Sequence, residues 1–512
     1  MNPITQALAW VRRYSAGSRS IVVSSRRPIA YPEVTGYFIP TLLALGEEAL
    51  ARAYAQWLVT VQAPDGSFGL SGQGYAFDTG QVIRGWVAVL EAMPELEAPL
   101  RRACNWLVKT ADPSTGRLLV PSTAGVWSLG ARGEVSEAIH LYTLQPLWKA
   151  GELLNEQGYI RFASRSRDYY LRDPHLTAFT RPNALAHFYA YVQEALVELG
   201  FGDVARNGMA EVARYQNAQG AVPAYHDVPW ICAPGLAQFA KVWHLLEDAA
   251  RGDAALRFLM ELQNPSGGFF GSYGPGADYF PADEVSWTVK YVLDASQLQI
   301  ARHFDRTASE YRNTITETDG RMQAIIERVG DLTGKQVLDA GCGKGRYAAY
   351  LHQRFPGAAI TALDISAEML QHVPPGIRRV QNSLLRMPFD DDTFDVVVCV
   401  EALEHAVQVE VGLAELVRVL APSGTLIVID KNRDKLGLLP MPFWERWFGS
   451  QEICGWMRVH GLEADVSAVG YDGLKADGLF LCWAGRKPSA RLAQVDPARD
   501  DTGVAVGIAA ER

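Results

Sequence analysis

The sequence predicts a multidomain protein in which an all-α (α/α)6 toroid is followed by a Rossmann-like, doubly wound α/β domain. Three observations support this prediction. The chain has 512 residues, which is more than one hydrophobic core usually supports. Its first part repeats a helical hairpin, and its later part alternates apolar strands with helices. We expect the toroid over residues 1–300, the α/β domain over 301–488 and a disordered tail over 489–512.

The composition is that of a globular protein with an acidic surface. Apolar residues make up 48% of the chain, charged residues 21%, and the formal net charge is −9. Because an acidic surface repels phosphate backbones, we expect no nucleic-acid partner. We also expect no membrane span and no secretory signal. The six cysteines are scattered without close pairs, which favours a location in the reducing cytoplasm.

The toroid is predicted from two alternating kinds of helix. Residues 54–69 and 256–271 each form an amphipathic helix pattern that stops at a glycine turn, and 103–118 and 209–224 are weaker copies. A more apolar helix follows each turn, so we expect this second kind to form a buried inner ring. The six inner segments begin at Pro32, Asp78, Ser136, Arg181, Ala233 and Asp283.

The pattern that closes the outer helices, Gln-x-x-x-Gly-x-Phe at Gln62 and Gln263, resembles the repeat of the terpenoid-cyclase and prenyltransferase toroid superfamily. The resemblance covers residues 30–300 and implies the fold more than an activity. The acidic signatures of terpene chemistry are absent. The Asp-x-Cys and His zinc set of protein prenyltransferases is absent as well, since Asp227 and Cys232 have the wrong spacing.

Carboxylates and aromatic residues are frequent at or near the starts of the inner helices. Because inner helices of a toroid begin at one rim, we expect these groups to line one cleft suited to hydroxyl-rich ligands such as sugars. The alternative is that each carboxylate caps its own helix. The cleft candidates are Glu33, Tyr37, Asp78, Asp227, Asp283 and Glu284. Further groups near the rim are Glu134, Glu137, His187, Tyr225, His226, Trp86, Trp127, Trp230 and Trp287.

From Gln336 the chain alternates strands and helices. A buried strand, a glycine-rich turn and a helix come first, and a second strand ends at Asp364. Gly341, Gly343 and Gly345 let the backbone pass close to a bulky ligand. Asp364 follows Gly345 by 19 residues, where a carboxylate can accept both hydroxyls of a ribose.

Four ordered motifs resemble the class I S-adenosylmethionine-dependent methyltransferases. They are DAGCGKG, LDIS, MPFDDDTFDVVV and EALEH, beginning at residues 339, 363, 387 and 401. The resemblance implies S-adenosylmethionine as the cofactor, with the first motif around its methionine part and the second motif at the ribose and adenine. A Rossmann-like core without this activity is the alternative. The implied cofactor residues are Asp339, Gly341, Cys342, Gly343, Gly345, Asp364, Ile365, Met369, Ser383 and Glu401.

Two positions depart from this family's pattern. Ser383 stands where members often carry an acidic residue that meets the adenine amine. Lys344 lies inside the glycine-rich turn, and we expect it to be exposed and to have no role.

Methyl transfer requires alignment of the acceptor and, for a hydroxyl acceptor, a base. His405 is the candidate base, and the alternative is a helix-start histidine bonded to backbone. Glu401, Glu404 and His405 also resemble the E-x-x-E-H metal ligands of certain RNA methyltransferases. The chain has only His460 downstream as a further histidine ligand, so we expect no metal. Residues 436–449 form either a lid over the acceptor or an amphipathic core helix.

The leading hypothesis is O-methylation of a hydroxyl-rich acceptor, such as a surface-polysaccharide sugar or its precursor, with the toroid binding or processing the glycan. One alternative is methylation of an isoprenoid or other small molecule beside a terpenoid-type toroid. Another is that the toroid acts only as a binding scaffold. The sequence leaves the oligomeric state open.

Overall fold

The first half of the protein is helical. The computed structural model describes residues 2–489 apart from 16, 18, 123–131, 133 and 134. The helices are α1 (Pro3–Ser15), α2 (Pro32–Ala44), α3 (Glu48–Val61), α4 (Ala76–Val89), α5 (Glu97–Lys109), α6 (Leu141–Leu153), α7 (Gln157–Tyr170), α8 (Ala186–Glu198), α9 (Gly202–Ala213), α10 (Ala233–Leu245), α11 (Ala249–Glu261) and α12 (Ser286–Thr307). Two short strand pairs join loops, β1 (Gly69–Leu70) with β2 (Gln73–Gly74) and β3 (Ile231–Cys232) with β4 (Ser272–Tyr273).

The even-numbered helices pack against one another in order, and α12 also contacts α2. Each odd-numbered helix lies against one of them, with α1 against α12. Burial follows the predicted division, because α4 buries 11 of its 14 residues and α3 only 4 of its 14. Close approach between α2 and α4 requires glycine, since a Cβ at Gly36 would lie 2.6 Å from the carbonyl oxygen of Gln81.

The second half is a mixed seven-stranded sheet covered by helices. The strand order is β10-β11-β9-β8-β5-β6-β7, in which β5 to β9 are parallel and β11 is antiparallel to both β9 and β10. The strands are β5 (Gln336–Ala340), β6 (Ala359–Asp364), β7 (Arg378–Gln381), β8 (Phe394–Val400), β9 (Leu420–Lys431), β10 (Glu463–Val469) and β11 (Phe480–Arg486). The helices are α13 (Gly320–Val329), α14 (Arg346–Arg354), α15 (Ala367–Gln371), α16 (Val409–Arg418) and α17 (Ser450–Val459).

The central strands are continuously apolar because both faces of the sheet are covered. Val337 and Val396 belong to the hydrophobic cluster on one face, and their neighbours Leu338 and Val397 belong to the cluster on the other face. Successive side chains of each strand therefore pack into two separate hydrophobic cores, one on each face of the sheet.

The helical part and the α/β part pack directly on each other. Leu385, Val407 and Trp444 of the second part belong to the hydrophobic core of the first. The Ser366 hydroxyl donates a hydrogen bond to Asp305 at 2.7 Å. Helix α12 contributes Asp305 because it continues past the predicted boundary at residue 300 to Thr307.

Three predictions concern features outside the site. Among the described helices, none is both long and apolar enough to cross a bilayer. All six cysteines are buried and free. The predicted tail from residue 490 onward lies outside the described residues, as do Trp127 and Glu134.

Candidate functional site

The glycine-rich turn after β5 forms part of the wall of a cavity of about 400 Å³. Gly341, Gly343 and Gly345 have φ angles of +73°, +53° and +74°, a region that side chains strongly disfavour. A Cβ at Gly341 would also lie 2.3 Å from the Cβ of Ala402. Glycine is therefore needed here both for the backbone conformation and for the space.

Asp364 ends β6 at the edge of the same cavity, and the backbone holds its carboxylate in place. One oxygen accepts the Gly343 N–H at 2.8 Å, and the other accepts the Ser366 N–H at 2.9 Å. Burial raises the pKa of Asp364 to about 6. Each carboxylate oxygen keeps a lone pair after these bonds, so the group can accept further donors from a ligand in the cavity.

Most of the predicted cofactor residues meet at this cavity. Asp339 and Gly345 are the exceptions, because they lie behind its wall. Asp339 is buried and accepts the Ala348 N–H at 3.0 Å, near the start of α14. Burial raises its pKa to about 7. The predicted residues in the cavity wall are Gly341, Cys342, Gly343, Asp364, Ile365, Met369, Ser383 and Glu401.

Glu401 directly follows β8 and lies between two arginines. Its carboxylate accepts hydrogen bonds from Arg321 at 2.6 Å and from Arg346 at 2.9 Å. Glu401 has a φ of +52°, which is rare outside glycine and marks a strained position. Both arginines also line the cavity, and sequence reasoning missed them. Arg346 was detectable because it follows the glycine-rich turn, whereas Arg321 comes from a separate helix.

Lys344 is buried rather than exposed, which corrects the prediction. Its ammonium donates to the carbonyl oxygen of Tyr311 at 3.0 Å, so the side chain folds back onto the segment that follows α12. Both residues line the cavity. Lys344 therefore fixes one part of the wall.

Apolar side chains from both halves of the protein also line the cavity, and this part of the wall is here termed its apolar end. Ile300 and Phe304 of α12 face it from the helical part. The ring of Phe304 packs edge-on against the His405 ring, with centroids 5.0 Å apart at 73°. Sequence analysis did not find this contact because it assigned α12 to a separate toroid. The second half adds Leu385, Ala406, Val407 and Leu439.

His405 lies at the junction of the polar and apolar ends. Its Nδ1 atom is buried without a hydrogen-bond partner among the described residues. Burial, helped by the nearby charge of Lys431, lowers the pKa of His405 to about 3. The imidazole is therefore neutral at physiological pH, and it is a weaker base than a solvent-exposed histidine.

A group of possible metal ligands surrounds this histidine. Ligand atoms of Glu404, His405 and Glu445 all lie within 4.8 Å of one another. The Lys431 ammonium donates to Glu404 at 2.5 Å and to Glu445 at 3.1 Å, so it supplies the positive charge that the two carboxylates need. Burial nevertheless raises the pKa of Glu404 to about 8. Sequence reasoning missed Glu445 because residues 436–449 carry no metal motif.

In the helical part, two of the predicted cleft carboxylates meet. Glu33 and Asp78 line a cavity of about 30 Å³ together with His187, Tyr191 and Trp287. Burial raises the pKa of both carboxyls, to about 7 for Asp78, and the Asp78 charge adds to the increase at Glu33. A cavity this small has room for one or two water molecules but not for a sugar.

The prediction of one shared cleft is wrong for the other three carboxylates. Asp227 is exposed and pairs with Arg132 at 2.8 Å. Asp283 accepts hydrogen bonds from the Ser24 hydroxyl at 2.6 Å and from the Arg26 backbone at 2.9 Å. Asp283 and Glu284 therefore join the loop before α12 to the first residues of the chain, whereas Asp227 joins the loop before α10 to the loop before α6. Other residues predicted at the rim also have partners of their own instead of sharing one cleft. Glu284 accepts a hydrogen bond from Trp10, Glu137 pairs with Arg117, and Tyr225 accepts the Arg132 N–H. Trp86 donates to the Ala55 carbonyl, and Tyr37 is buried with its ring facing the Lys290 ammonium.

Comparison with known proteins finds similarity to methyltransferases in the part of the chain that carries the glycine-rich turn and Asp364. Residues 338–428 match the family model described as a methyltransferase domain. The fatty-acid O-methyltransferase of Mycolicibacterium smegmatis is 32% identical over 151 residues, which are 27% of this chain and 54% of that protein. The phthiotriol/phenolphthiotriol dimycocerosates methyltransferase of Mycobacterium tuberculosis is 41% identical over 99 residues, 18% of this chain and 37% of that protein.

A solved structure of a SAM-dependent methyltransferase from Aquifex aeolicus is 18% identical, covers 36% of this chain and 97% of its own, and has a TM-score of 0.31. This chain spans about half the length of the fatty-acid relative and just over a third of the phthiotriol relative. The C-terminal region contains a methyltransferase domain.

Proposed function

We propose that this protein is an S-adenosylmethionine-dependent methyltransferase that transfers the methyl group to an oxygen atom of a lipid. The observation that carries the proposal is one cavity whose wall combines polar groups such as Asp364 and Glu401 with apolar side chains from both halves of the protein. Gly341, Asp364 and Glu401 of the polar wall lie within residues 338–428, which match the methyltransferase domain. The apolar end offers an aliphatic and aromatic wall, and the two curated relatives are named for lipid substrates.

The polar end fits the chemical groups of S-adenosylmethionine. Asp364 is placed to accept the ribose hydroxyls, and the glycine-rich turn leaves room for the cofactor backbone. Ile365 and Met369 offer apolar contacts to the nucleoside, and Ser383 lies beside them in the wall. When bound, the cofactor supplies an electrophilic methyl group on a sulfonium. Cys342, Gly341, Gly343 and Glu401 would surround its amino-acid part, while Asp339 and Gly345 act behind the wall.

His405 is the proposed general base. A hydroxyl of the acceptor would donate its proton to the neutral imidazole as the new carbon–oxygen bond forms and the methyl–sulfur bond of the cofactor breaks. Phe304 orients the ring from one side and Glu445 lies on the other, 3.8 Å from Nδ1. A carboxylate acceptor would need no base, so the effect of removing His405 depends on the acceptor oxygen.

We also propose that the helical region, over about residues 1–300, is an (α/α)6 toroid that serves the methyltransferase region, about 301–488, as a scaffold. The successive contacts of six inner helices, closed by α12 against α2, support this architecture. Ile300 and Phe304 give the scaffold a direct part in the acceptor wall. The scattered rim carboxylates and the small cavity near Glu33 favour this role over the processing of a glycan.

A methylation assay with the full chain tests the proposal. S-adenosylmethionine labelled in its methyl group is incubated with a fatty acid, a long-chain alcohol, an isoprenoid alcohol and a monosaccharide. We expect label in the fatty acid or the long-chain alcohol, and much less label with the Asp364→Asn variant at the same cofactor concentration. Label in the sugar alone would contradict the lipid assignment, and label in the isoprenoid alone would favour the isoprenoid hypothesis.

A further inference from the structure

Residues 436–443, here termed the mouth segment, expose an unusual amount of apolar surface. Five of these eight residues are large apolar side chains that are 38–63% exposed. Exposed single apolar residues are common on proteins, but a continuous group of them marks an interaction surface. The exposed residues of the segment are Leu436, Leu438, Leu439, Met441 and Phe443.

The mouth segment lies at the opening of the acceptor end of the cavity. Leu439 both lines the cavity and is exposed, so the outer apolar surface is continuous with the inner apolar wall. Two further exposed apolar side chains, Tyr311 and Leu474, belong to loops that border the same cavity. The exposed apolar surface therefore reaches the cavity wall through Leu439.

The segment is anchored at both ends, so its exposure is not the fraying of a chain terminus. Before it, the Asn432 N–H donates to the Leu479 carbonyl at 2.8 Å, and the Arg433 N–H donates to the Phe448 carbonyl at 2.9 Å. After it, Trp444 is buried in the core of the helical part. Of the two alternatives for residues 436–449, the amphipathic core helix is wrong, because no helix forms there. The first eight residues are a largely exposed loop, and all of the last six except Arg446 are buried.

We propose that the mouth segment inserts into the surface of a lipid bilayer, so that a lipid acceptor reaches the cavity without crossing water. This inference rests on the proposed lipid substrate. Aliphatic side chains gain free energy in the acyl region of a bilayer, and an anchored loop can enter its interface without spanning it. The nearby charges are balanced, with Arg433, Lys435 and Lys475 against Asp434, Asp472 and Asp477. Apolar contacts should therefore dominate, and neutral lipid should be sufficient.

Vesicle sedimentation of the full chain tests the proposal. We expect it to sediment with phosphatidylcholine vesicles and to bind phosphatidylglycerol-containing vesicles with similar affinity. A variant with Leu436→Ser, Leu438→Ser and Met441→Ser should bind at least about tenfold more weakly. The matched control changes three exposed apolar residues elsewhere, Leu119→Ser, Leu153→Ser and Val459→Ser, and should bind like the unmodified protein.

Three results would overturn the proposal: no binding to either vesicle, equal loss in both variants, or self-association that only the mouth variant abolishes. Self-association is measured by sedimentation velocity without lipid and would assign the surface to a second copy. Failure of the proposed function is detected separately, by methylation of a lipid dispersed in detergent. The mouth variant should keep its cofactor affinity, and its activity on dispersed lipid, because none of its three positions lines the cavity.

Discussion

Replacing Asp364 by asparagine should weaken S-adenosylmethionine binding far more than the same replacement at Asp339. Asp339 lies in β5, Asp364 ends the neighbouring parallel strand β6, and both side chains are buried. Their surroundings differ, because Asp364 faces the cavity while Asp339 accepts the Ala348 N–H behind it. The pair thus compares one chemical change at two adjacent positions.

The magnitude follows from the hydrogen bonds that each carboxylate makes. Both oxygens of Asp364 accept a backbone N–H. In an asparagine, the NH2 group would replace one of these oxygens and point at a backbone N–H, and the side chain would have one acceptor fewer for the ribose. A hydrogen bond to a charged group contributes about 1.5–3 kcal/mol, which corresponds to an affinity loss of about 10- to 150-fold. An asparagine in place of Asp339 could still accept the Ala348 N–H through its amide oxygen, so the Asp339→Asn variant should lose about twofold or less.

Titration calorimetry of both full-length variants with S-adenosylmethionine measures these losses. Thermal unfolding without ligand gives the folded fraction, so that a loss of stability is not mistaken for a loss of affinity. Equal affinity losses at the two positions, or no loss at Asp364, would refute the assignment of the ribose to Asp364.

Three further predictions concern pH, the base and the acceptor wall. Because the charged carboxylate is the better acceptor and burial raises the pKa of Asp364 to about 6, cofactor affinity should fall by about tenfold between about pH 7 and about pH 5, and calorimetry of Asp364→Asn should show no such fall. For a hydroxyl acceptor, His405→Ala should lower turnover by about a hundredfold at near-normal cofactor affinity, whereas normal turnover per folded molecule would mean a structural role. Phe304→Ala should raise the KM for the lipid by about tenfold without changing cofactor affinity, and an unchanged KM would remove α12 from the acceptor wall.

Much of the methyltransferase region was predictable because its signals are local. The glycines at 341, 343 and 345 adopt positive φ angles, and their spacing marks such a turn in the sequence. Asp364 was predictable because the end of one parallel strand lies beside the end of the next. The direction of the Asp339 side chain was not, since the sequence does not show that its carboxylate turns toward α14.

In the helical half, too, the sequence predicted the local pattern of helices but not the contacts between distant loops. Its alternation of partly and fully buried helices follows from apolar spacing, and all six predicted inner segments correspond to buried helices. The rim prediction treated helix starts as equivalent. Glu33 and Asp78 do meet, but Asp227 pairs with Arg132, and such pairs depend on loops that are distant in the chain.

The sequence by itself determined the helical pattern of the first half, the strand-and-helix order of the second, the glycine-rich turn and the carboxylate proposed for the ribose. Each of these depends on residues close together in the chain. Only the tertiary structure decided the acceptor end of the cavity. Phe304 of the helical part meets His405 of the α/β part across about 100 residues of sequence. Contacts between distant segments depend on how whole domains pack, and the spacing of residues within one segment does not predict that packing.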